Sequence, residues 1–326
     1  MLLTAKLILN LCQPKHALLM STKEYSYSKT RDRGSMLIYH IGALVAVTAW
    51  GIAFINTKVL LQHGLGAVEI FIYRIIIAYF GVLMVCPKPL MSNSWADEFK
   101  FFLVGVCGSS LYFIAENTAM EYTLVTNVSL IVTTSPIITA LLVGMMYRSE
   151  RPSRGFLLGS FIAFLGVACV IFNSSFDVKI NPLGDLLALL AAVCFAVYTI
   201  LLRPLNATYS VWFITRKTFF YGLITALPFV AVSPTPLVPL STLFTPAVIG
   251  NLIFLAVVCS VLSFYFWAVA VKRIGVVKSG NYLYISPIVT LVASALYLGE
   301  MVSVVGYVGC TLIMIGVILS EKLSAR

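Results

Sequence analysis

Long apolar runs alternate with short polar loops along most of the chain after Met36. Each run holds about 20 residues, the length that a helix needs to cross the hydrocarbon core of a bilayer. The loops between them are short, so neighbouring helices are expected to be antiparallel. The pattern predicts ten transmembrane helices. Their predicted ranges are 37–56, 68–86, 99–119, 123–146, 154–172, 183–203, 208–232, 244–271, 275–298 and 302–321.

Two stretches of the first half return in the second half. Phe71-Ile72-Tyr73-Arg74 corresponds to Phe213-Ile214-Thr215-Arg216, and Ser135-Pro136-Ile137 corresponds to Ser286-Pro287-Ile288. Each half holds five predicted helices, and an odd number makes the second half enter the membrane from the opposite side. The predicted fold is an all-α integral membrane protein with ten transmembrane helices in two inverted five-helix repeats. The repeats cover residues 37–172 and 183–321.

Composition and charge indicate the environment and the orientation of these helices. Hydrophobic residues make up 60% of the 326 residues and charged residues only 10%, which is not the composition of a soluble domain. Most of the 22 Lys and Arg residues fall in the segments of one side, whereas the loops of the other side hold only Lys179. This uneven distribution of Lys and Arg, rather than the net charge of +10, predicts both termini in the cytoplasm, with the helices in the cell (inner) membrane. The net charge does not indicate a nucleic-acid partner.

Residues 1–36 precede the first repeat. They are polar and basic after a weakly apolar start, and they lack the apolar run and cleavage site of a secretory signal. Two interpretations stay open: a cytoplasmic tail, or an extension that precedes a natural start at Met36.

Motifs for catalysis, metal binding or nucleotide binding are missing from the sequence. The seven cysteines form no CxxC pair, and His16, His40 and His63 form no HExxH motif. The sequence has no GxxxxGK[ST] loop, which argues against transport driven by ATP. We therefore expect neither an enzyme nor a bound cofactor or metal.

Four ionisable side chains lie within or beside predicted spans: Lys58, Arg74, Glu116 and Arg216. A charge at mid-bilayer costs roughly 2.5–3.5 kcal/mol, so such a group should face protein or a cavity. Arg74 and Glu116 approach from the same side of the membrane and could form an ion pair. The alternatives are solute binding or a structural role, and Lys58 is expected to snorkel. Glu116 would also suit the exchange of a coupling proton or a cationic solute.

Further polar and aromatic residues fall at similar depths and could line a solute cavity. In the second half, Tyr198 occupies the position of Asn56, and Trp267 occupies that of Glu116. The alternative for the hydroxyl groups is a bond to their own helix. The predicted substrate-binding residues are Asn56, Arg74, Glu116, Asn117, Asn127, Tyr198, Arg216, Trp267, Asn281 and Tyr282.

Proline and glycine mark special positions in both halves. Pro136 and Pro287 fall inside the fourth and ninth spans and predict either packing kinks or unwound segments beside a cavity. Gly155 and Gly159 form a GxxxG motif in the fifth span. Small residues let helices approach closely, so the motif indicates packing within the chain or, alternatively, a homodimer face.

Together these features resemble the EamA-like branch of the drug/metabolite transporter superfamily. The matching features are Trp50-Gly51, Arg74, the stretch TAMEYTLVTNVSLIVTTSPIITALL leading to Glu150, and the stretch AVAVKRIGVVKSGNYLYISPIVTLV leading to Glu300. The resemblance implies a secondary transporter that moves a small metabolite or drug through a central cavity by alternating access, in the direction of export. It does not imply a particular solute. The alternatives are a membrane receptor or scaffold, a channel and a membrane enzyme.

Overall fold

The computed structural model describes residues 33–87, 90–123, 125–146, 152–171, 181–232, 238–298 and 303–324. The secondary structure within these ranges is helical, with no strand. Nearly all of the predicted tail lies outside them, as do Glu150 and Glu300.

The helices coincide with the apolar runs of the sequence. They are α1 (Arg33–Gln62), α2 (Ala67–Val85), α3 (Trp95–Gly105), α4 (Leu111–Tyr122), α5 (Val125–Val132), α6 (Ser135–Met146), α7 (Arg154–Ile171), α8 (Pro182–Thr208), α9 (Val211–Val232), α10 (Leu240–Leu243), α11 (Pro246–Ile253), α12 (Ser263–Ile274), α13 (Val276–Gly280), α14 (Ser286–Leu298) and α15 (Val304–Ser324).

Six helical stretches in the described part of the chain are long and apolar enough to cross a membrane. Two shorter apolar helices, Arg154–Cys169 and Val304–Ser320, accompany them. The six stretches are Met36–Gln62, Ala67–Val85, Trp95–Tyr122, Val128–Met146, Pro182–Thr208 and Pro246–Ile274.

Capping residues explain why two helices begin outside the ranges read from hydrophobicity. The helix predicted to begin at 99 begins at Trp95, because the Ser94 hydroxyl accepts a hydrogen bond from the Asp97 amide at 3.1 Å. The Asn181 side chain caps α8 in the same way, with Pro182 in its first turn. These polar residues satisfy the free amides of a first turn, so a helix can start before its apolar run does.

The helical stretches are interrupted at matching places in the two halves. Pro136 and Pro287 are the second residues of α6 and α14; a turn separates α5 from α6, and a 3-10 helical segment, Asn281–Ile285, joins α13 to α14. Proline has no amide hydrogen to donate, so the interruption predicted from both positions is present. Two π-helical segments, Val106–Ser110 and Phe254–Leu262, join α3 to α4 and α11 to α12.

The glycines of α7 and α15 form a close helix pair within the chain. A side chain on Gly166 would lie 2.6 Å from the Ile313 amide nitrogen and 2.7 Å from the Gly309 oxygen. Gly159 and Gly316 approach the facing backbone equally closely. The small residues therefore serve packing between two helices of one chain.

The outer surface of the bundle carries many exposed large apolar side chains, including Phe80, Leu186, Leu227, Leu296 and Tyr307. A water-soluble monomer rarely exposes so much apolar surface. Aromatic and aliphatic residues fill the inside, among them the fully buried Phe71, Tyr198 and Trp267. The surface and the long apolar helices fit a multi-pass membrane protein.

Candidate functional site

A cavity of about 60 Å³ lies inside the bundle, between helices of both halves. A single water needs roughly 10–15 Å³ on this measure, so the cavity has room for several waters or a small solute. Its lining residues are Trp50, Ala53, Phe54, Thr57, Arg74, Tyr112, Phe113, Glu116, Met120, Val132, Thr133, Ser135, Phe195, Phe264, Leu283 and Ser286.

The helix interruptions lie at this cavity. Thr133 and Ser135 flank the break between α5 and α6, and Leu283 and Ser286 flank the start of α14. The Thr133 hydroxyl donates to the Ser129 carbonyl at 2.6 Å, so its hydrogen is used within its own helix while its oxygen can still accept. Interrupted helices that border a cavity are typical of solute sites in transporters.

Arg74 brings a positive charge to the cavity from α2. Its side chain is buried, its Nε donates to Ser260 Oγ at 2.7 Å, and its guanidinium carbon lies 4.1 Å from the centre of the Phe113 ring. Its Nη2 has no hydrogen-bond partner among the described residues. The guanidinium is therefore oriented by Ser260 and Phe113, and one of its donors is left without an acceptor among the described residues.

Glu116 brings a carboxylate to the same cavity from α4. Its Oε1 accepts a hydrogen bond from the Tyr112 hydroxyl at 2.8 Å, one helical turn away. The ion pair with Arg74 that the sequence suggested is not formed. In the described part of the chain, ion pairs join Lys100 to Asp97 and Lys217 to Glu98. Each of the two charges at the cavity has a neutral partner instead.

Trp50 lies at the centre of the aromatic wall of the cavity. Its ring is 5.4 Å from that of Trp267, 5.6 Å from that of Phe195 and 6.0 Å from that of Phe264. Its Nε1 donates to the Cys259 carbonyl at 2.9 Å, which fixes the indole across the interface between the two halves. Gly51 lets α1 pass the start of α14, because a side chain there would lie 2.7 Å from the Ser286 carbonyl oxygen.

Two predicted site residues form the second layer of this wall. Trp267 is buried against Trp50 and Phe195, and Tyr198 is buried against Phe195 and Phe264. Neither residue lines the cavity itself. They support the rings that do.

Three other predicted residues lie away from the cavity and bond elsewhere. Asn56 Nδ2 donates to Asn251 Oδ1 at 2.6 Å, and Asn117 Nδ2 donates to the Ala67 carbonyl at 3.3 Å. Arg216 Nη1 donates to the Cys86 carbonyl at 2.7 Å. The structure therefore gives these side chains contacts between helices.

The remaining predicted residues belong to α5 and to the ninth predicted span. Asn281 is buried, and neither polar atom of its amide has a partner among the described residues. The Tyr282 hydroxyl lies 2.5 Å from His40 Nδ1. Neither residue lines the cavity, and the side chain of Asn127 lies outside the described residues.

Sequence reasoning missed Tyr112, Ser260 and most of the aromatic wall. Tyr112 lies four residues before Glu116, and this helical spacing could have indicated it. Ser260 is one of several hydroxyl residues in an apolar run of the other half. Its contact with Arg74 depends on how the halves pack, and no local pattern reveals that.

A second charged cluster lies between α3 and α9. Lys217 is fully buried and forms an ion pair with Glu98, which also accepts hydrogen bonds from the hydroxyls of Tyr221 and Ser92. The Lys217 ammonium lies 5.2 Å from the Phe101 ring centre and 5.8 Å from that of Phe213. The cluster joins the two halves, and none of these residues lines the cavity.

The family comparison matches both halves of the chain. The model of the EamA-like transporter family matches residues 37–172 and again residues 182–321.

Similar proteins carry transporter names. A protein of Archaeoglobus fulgidus named "Uncharacterized transporter" is 24% identical over 86% of this chain and 96% of its own length. A "Probable terminal-alkyne amino-acid exporter" of Streptantibioticus cattleyicolor is 26% identical over 86% of this chain and 92% of its own length. A solved crystal structure shares the fold at a TM-score of 0.71 and 16% identity, covering 88% of this chain and 99% of that one.

Proposed function

Because the chain belongs to the EamA-like transporter family, we propose that it is a secondary transporter that moves a small solute across the cell membrane by alternating access. The observation that carries the proposal is the cavity between the halves, with Arg74 and Glu116 buried at its wall. Buried ionisable groups that face a cavity inside a membrane protein are typical of solute pathways. We propose no catalytic activity for it.

Ten transmembrane helices in two inverted repeats, with both termini cytoplasmic, form the architecture that we propose. Contacts between the halves support it because they occur in exchanged pairs. α2 of the first half packs on the π-helical segment of the second half, and α9 of the second half packs on the π-helical segment of the first. In the same way, α1 packs on α12, and α8 packs on α4. A two-fold relation between the repeats would produce such pairs.

The glycine contacts support the same relation. The repeat pairs Gly159 with Gly309 and Gly166 with Gly316. In space Gly159 meets Gly316, and Gly166 meets Gly309, which is the crossed pattern expected of antiparallel helices beside a two-fold axis. Because these glycines are covered within the chain, we do not propose a homodimer through them.

Export coupled to a proton is the direction and driving force that we propose. One relative is named an exporter, and Glu116 is the carboxylate at the cavity. A carboxylate that holds either a proton or the cationic group of a solute, but not both, would couple their opposite movements.

Transport in proteoliposomes and a metabolite comparison test this proposal together. Cells with and without the gene are compared for solutes that are depleted or accumulated, and the solutes found are then tested with purified protein. We expect Glu116→Gln to reduce transport and flatten its pH dependence at normal protein levels. Glu121→Gln is the matched control, since Glu121 is on the same helix but accepts from the Ala67 amide outside the cavity. No solute movement by well-folded protein would contradict a transporter.

A further inference from the structure

Two opposite charges face the cavity without being paired to each other. Arg74 bonds Ser260, and Glu116 bonds the Tyr112 hydroxyl. An arginine and a carboxylate at one small cavity would ordinarily lower their energy by forming a salt bridge. Because Arg74 and Glu116 bond neutral side chains instead of each other, each can still bind a solute group of opposite charge.

The free donor of Arg74 indicates an anionic oxygen group in the solute. Its Nη2 is buried and has no acceptor among the described residues, and a buried donor without a partner is costly. Arginine is well suited to carboxylates because its planar fork presents parallel donors to them. A solute carboxylate would supply the acceptor that the described protein does not.

Ser260 is the residue that fixes this orientation. Its hydroxyl donates to the Leu255 carbonyl five residues earlier, at 2.9 Å, so its oxygen is left to accept from Arg74 Nε. The five-residue reach belongs to the π-helical segment Phe254–Leu262. The distorted helix of one half therefore holds the arginine of the other half in place.

Glu116 indicates a cationic group in the same solute. The Arg74 guanidinium lies on the ring of Phe113, which is one helical turn before Glu116 on α4, and all three residues line the cavity. An anionic solute alone would bring a second negative charge beside Glu116. A solute with both charges compensates both groups and enters without a net charge, which lowers the cost of desolvation.

The rest of the wall is apolar and the space is small. Trp50, Phe195 and Phe264 offer ring faces, and the volume of about 60 Å³ suits a small solute. Such a pocket suits an apolar body attached to the charged end.

We propose that the cavity binds a small zwitterion with an apolar body, its anionic group on Arg74 Nη2 and its cationic group on Glu116. Ser260 is the positioning residue for Arg74. This inference rests on the proposed transport function for its biological meaning, but the binding it describes is measured separately.

Binding to the full chain in nanodiscs tests the charge requirement. Leucine is compared with isoamylamine and isocaproate, which keep its branched carbon skeleton but carry only the cation or only the anion. Phenylalanine, phenethylamine and hydrocinnamate form a second series. We expect at least one zwitterion to bind roughly tenfold or more tighter than its amine and its acid, since hydrogen bonds to charged groups are strong.

Variants identify which residue binds which charged group of the solute. Glu116→Gln should remove the preference for the zwitterion over the acid that lacks the amino group. Arg74→Lys should reduce the preference for the zwitterion over the amine that lacks the carboxylate. Ser260→Ala should reduce the preference over the amine in the same sense. Ser263→Ala is its matched control, because the Ser263 hydroxyl makes the same five-residue contact, to Val258, without touching Arg74. Melting temperatures of all variants verify folding.

Three results of these binding measurements would overturn the inference: in both series an amine or an acid that binds as tightly as the zwitterion, no binding of either zwitterion, or equal effects of Ser260→Ala and Ser263→Ala. A transported solute that carries a single charge would leave the transporter proposal standing and reject this one. A zwitterion that binds in the predicted way but is never transported would support this inference and reject the transporter proposal.

Discussion

The buried ion pair between Lys217 and Glu98 leads to a prediction about stability. The Lys217 side chain is 1% exposed and the Glu98 side chain is 23% exposed. Glu98→Gln would leave the lysine charge inside the bundle with a neutral partner. Lys217→Met would instead remove the buried charge and leave Glu98 with two hydroxyl donors and some access to solvent. The two changes at one pair should therefore differ in cost.

The magnitude follows from burial. Removing one partner of a buried pair costs about 3–5 kcal/mol. Glutamine still offers an oxygen, and the exposed part of Glu98 screens the pair, so we expect about 2–3 kcal/mol for Glu98→Gln. For Lys217→Met we expect a cost of about 1 kcal/mol, because methionine fills the space between Phe101 and Phe213 and its sulfur makes favourable contacts with rings.

Unfolding titrations with SDS in mixed micelles measure these free energies of unfolding. The double variant should be more stable than Glu98→Gln alone, since it no longer buries an unpaired charge. Lys100→Met is the control: Lys100 is three residues from Asp97 on one helix and its side chain is 15% exposed, against 1% for Lys217. Asp97 would keep the hydrogen bond from the Tyr209 hydroxyl, so the loss should cost about 1 kcal/mol or less. The reasoning is refuted if Lys217→Met costs more than Glu98→Gln, or if the double variant is the least stable of the three.

Three further predictions follow from the contacts of single residues. Glu116→Gln should leave the melting temperature nearly unchanged, and adding Arg74→Gln should not rescue transport, because the two groups are not paired; rescue in a transport assay would contradict this. Gly166→Ala should destabilise the protein by roughly 1–3 kcal/mol through overlap with α15, whereas Gly250→Ala, with open space around it, should be neutral or slightly stabilising in the same titration. A cysteine placed at Asp177 should react with an impermeant reagent only from outside intact cells, and labelling from the cytoplasm alone would reject the proposed topology.

The sequence predicted the helices well because hydrophobic length is a local property. Apolar runs of about 20 residues and the two internal prolines were sufficient to locate the helices and their interruptions. The ends were less predictable, since caps such as Ser94 extend a helix beyond its apolar run.

The candidate site was only partly predictable, and the reason is the range over which its contacts form. Arg74 and Glu116 stood out because charge is rare in an apolar run. Their partners did not, because Ser260 comes from the other half and an aromatic residue in a membrane helix resembles any other apolar residue. Asn56 and Asn117 had equally polar signals but bond across helices instead.

Divergence between the two repeats explains why the charged residues at the cavity come from one half. Arg216 corresponds to Arg74, but it bonds the Cys86 carbonyl, and Ser109, at the position that corresponds to Ser260, lies against Gly222. Trp267 corresponds to Glu116 and supports the aromatic wall. A strictly symmetric protein would place two arginines and two carboxylates at equivalent depths on opposite sides. Divergence at these few positions leaves one arginine and one carboxylate at the cavity, the arrangement that the proposed zwitterionic solute would satisfy with a single molecule.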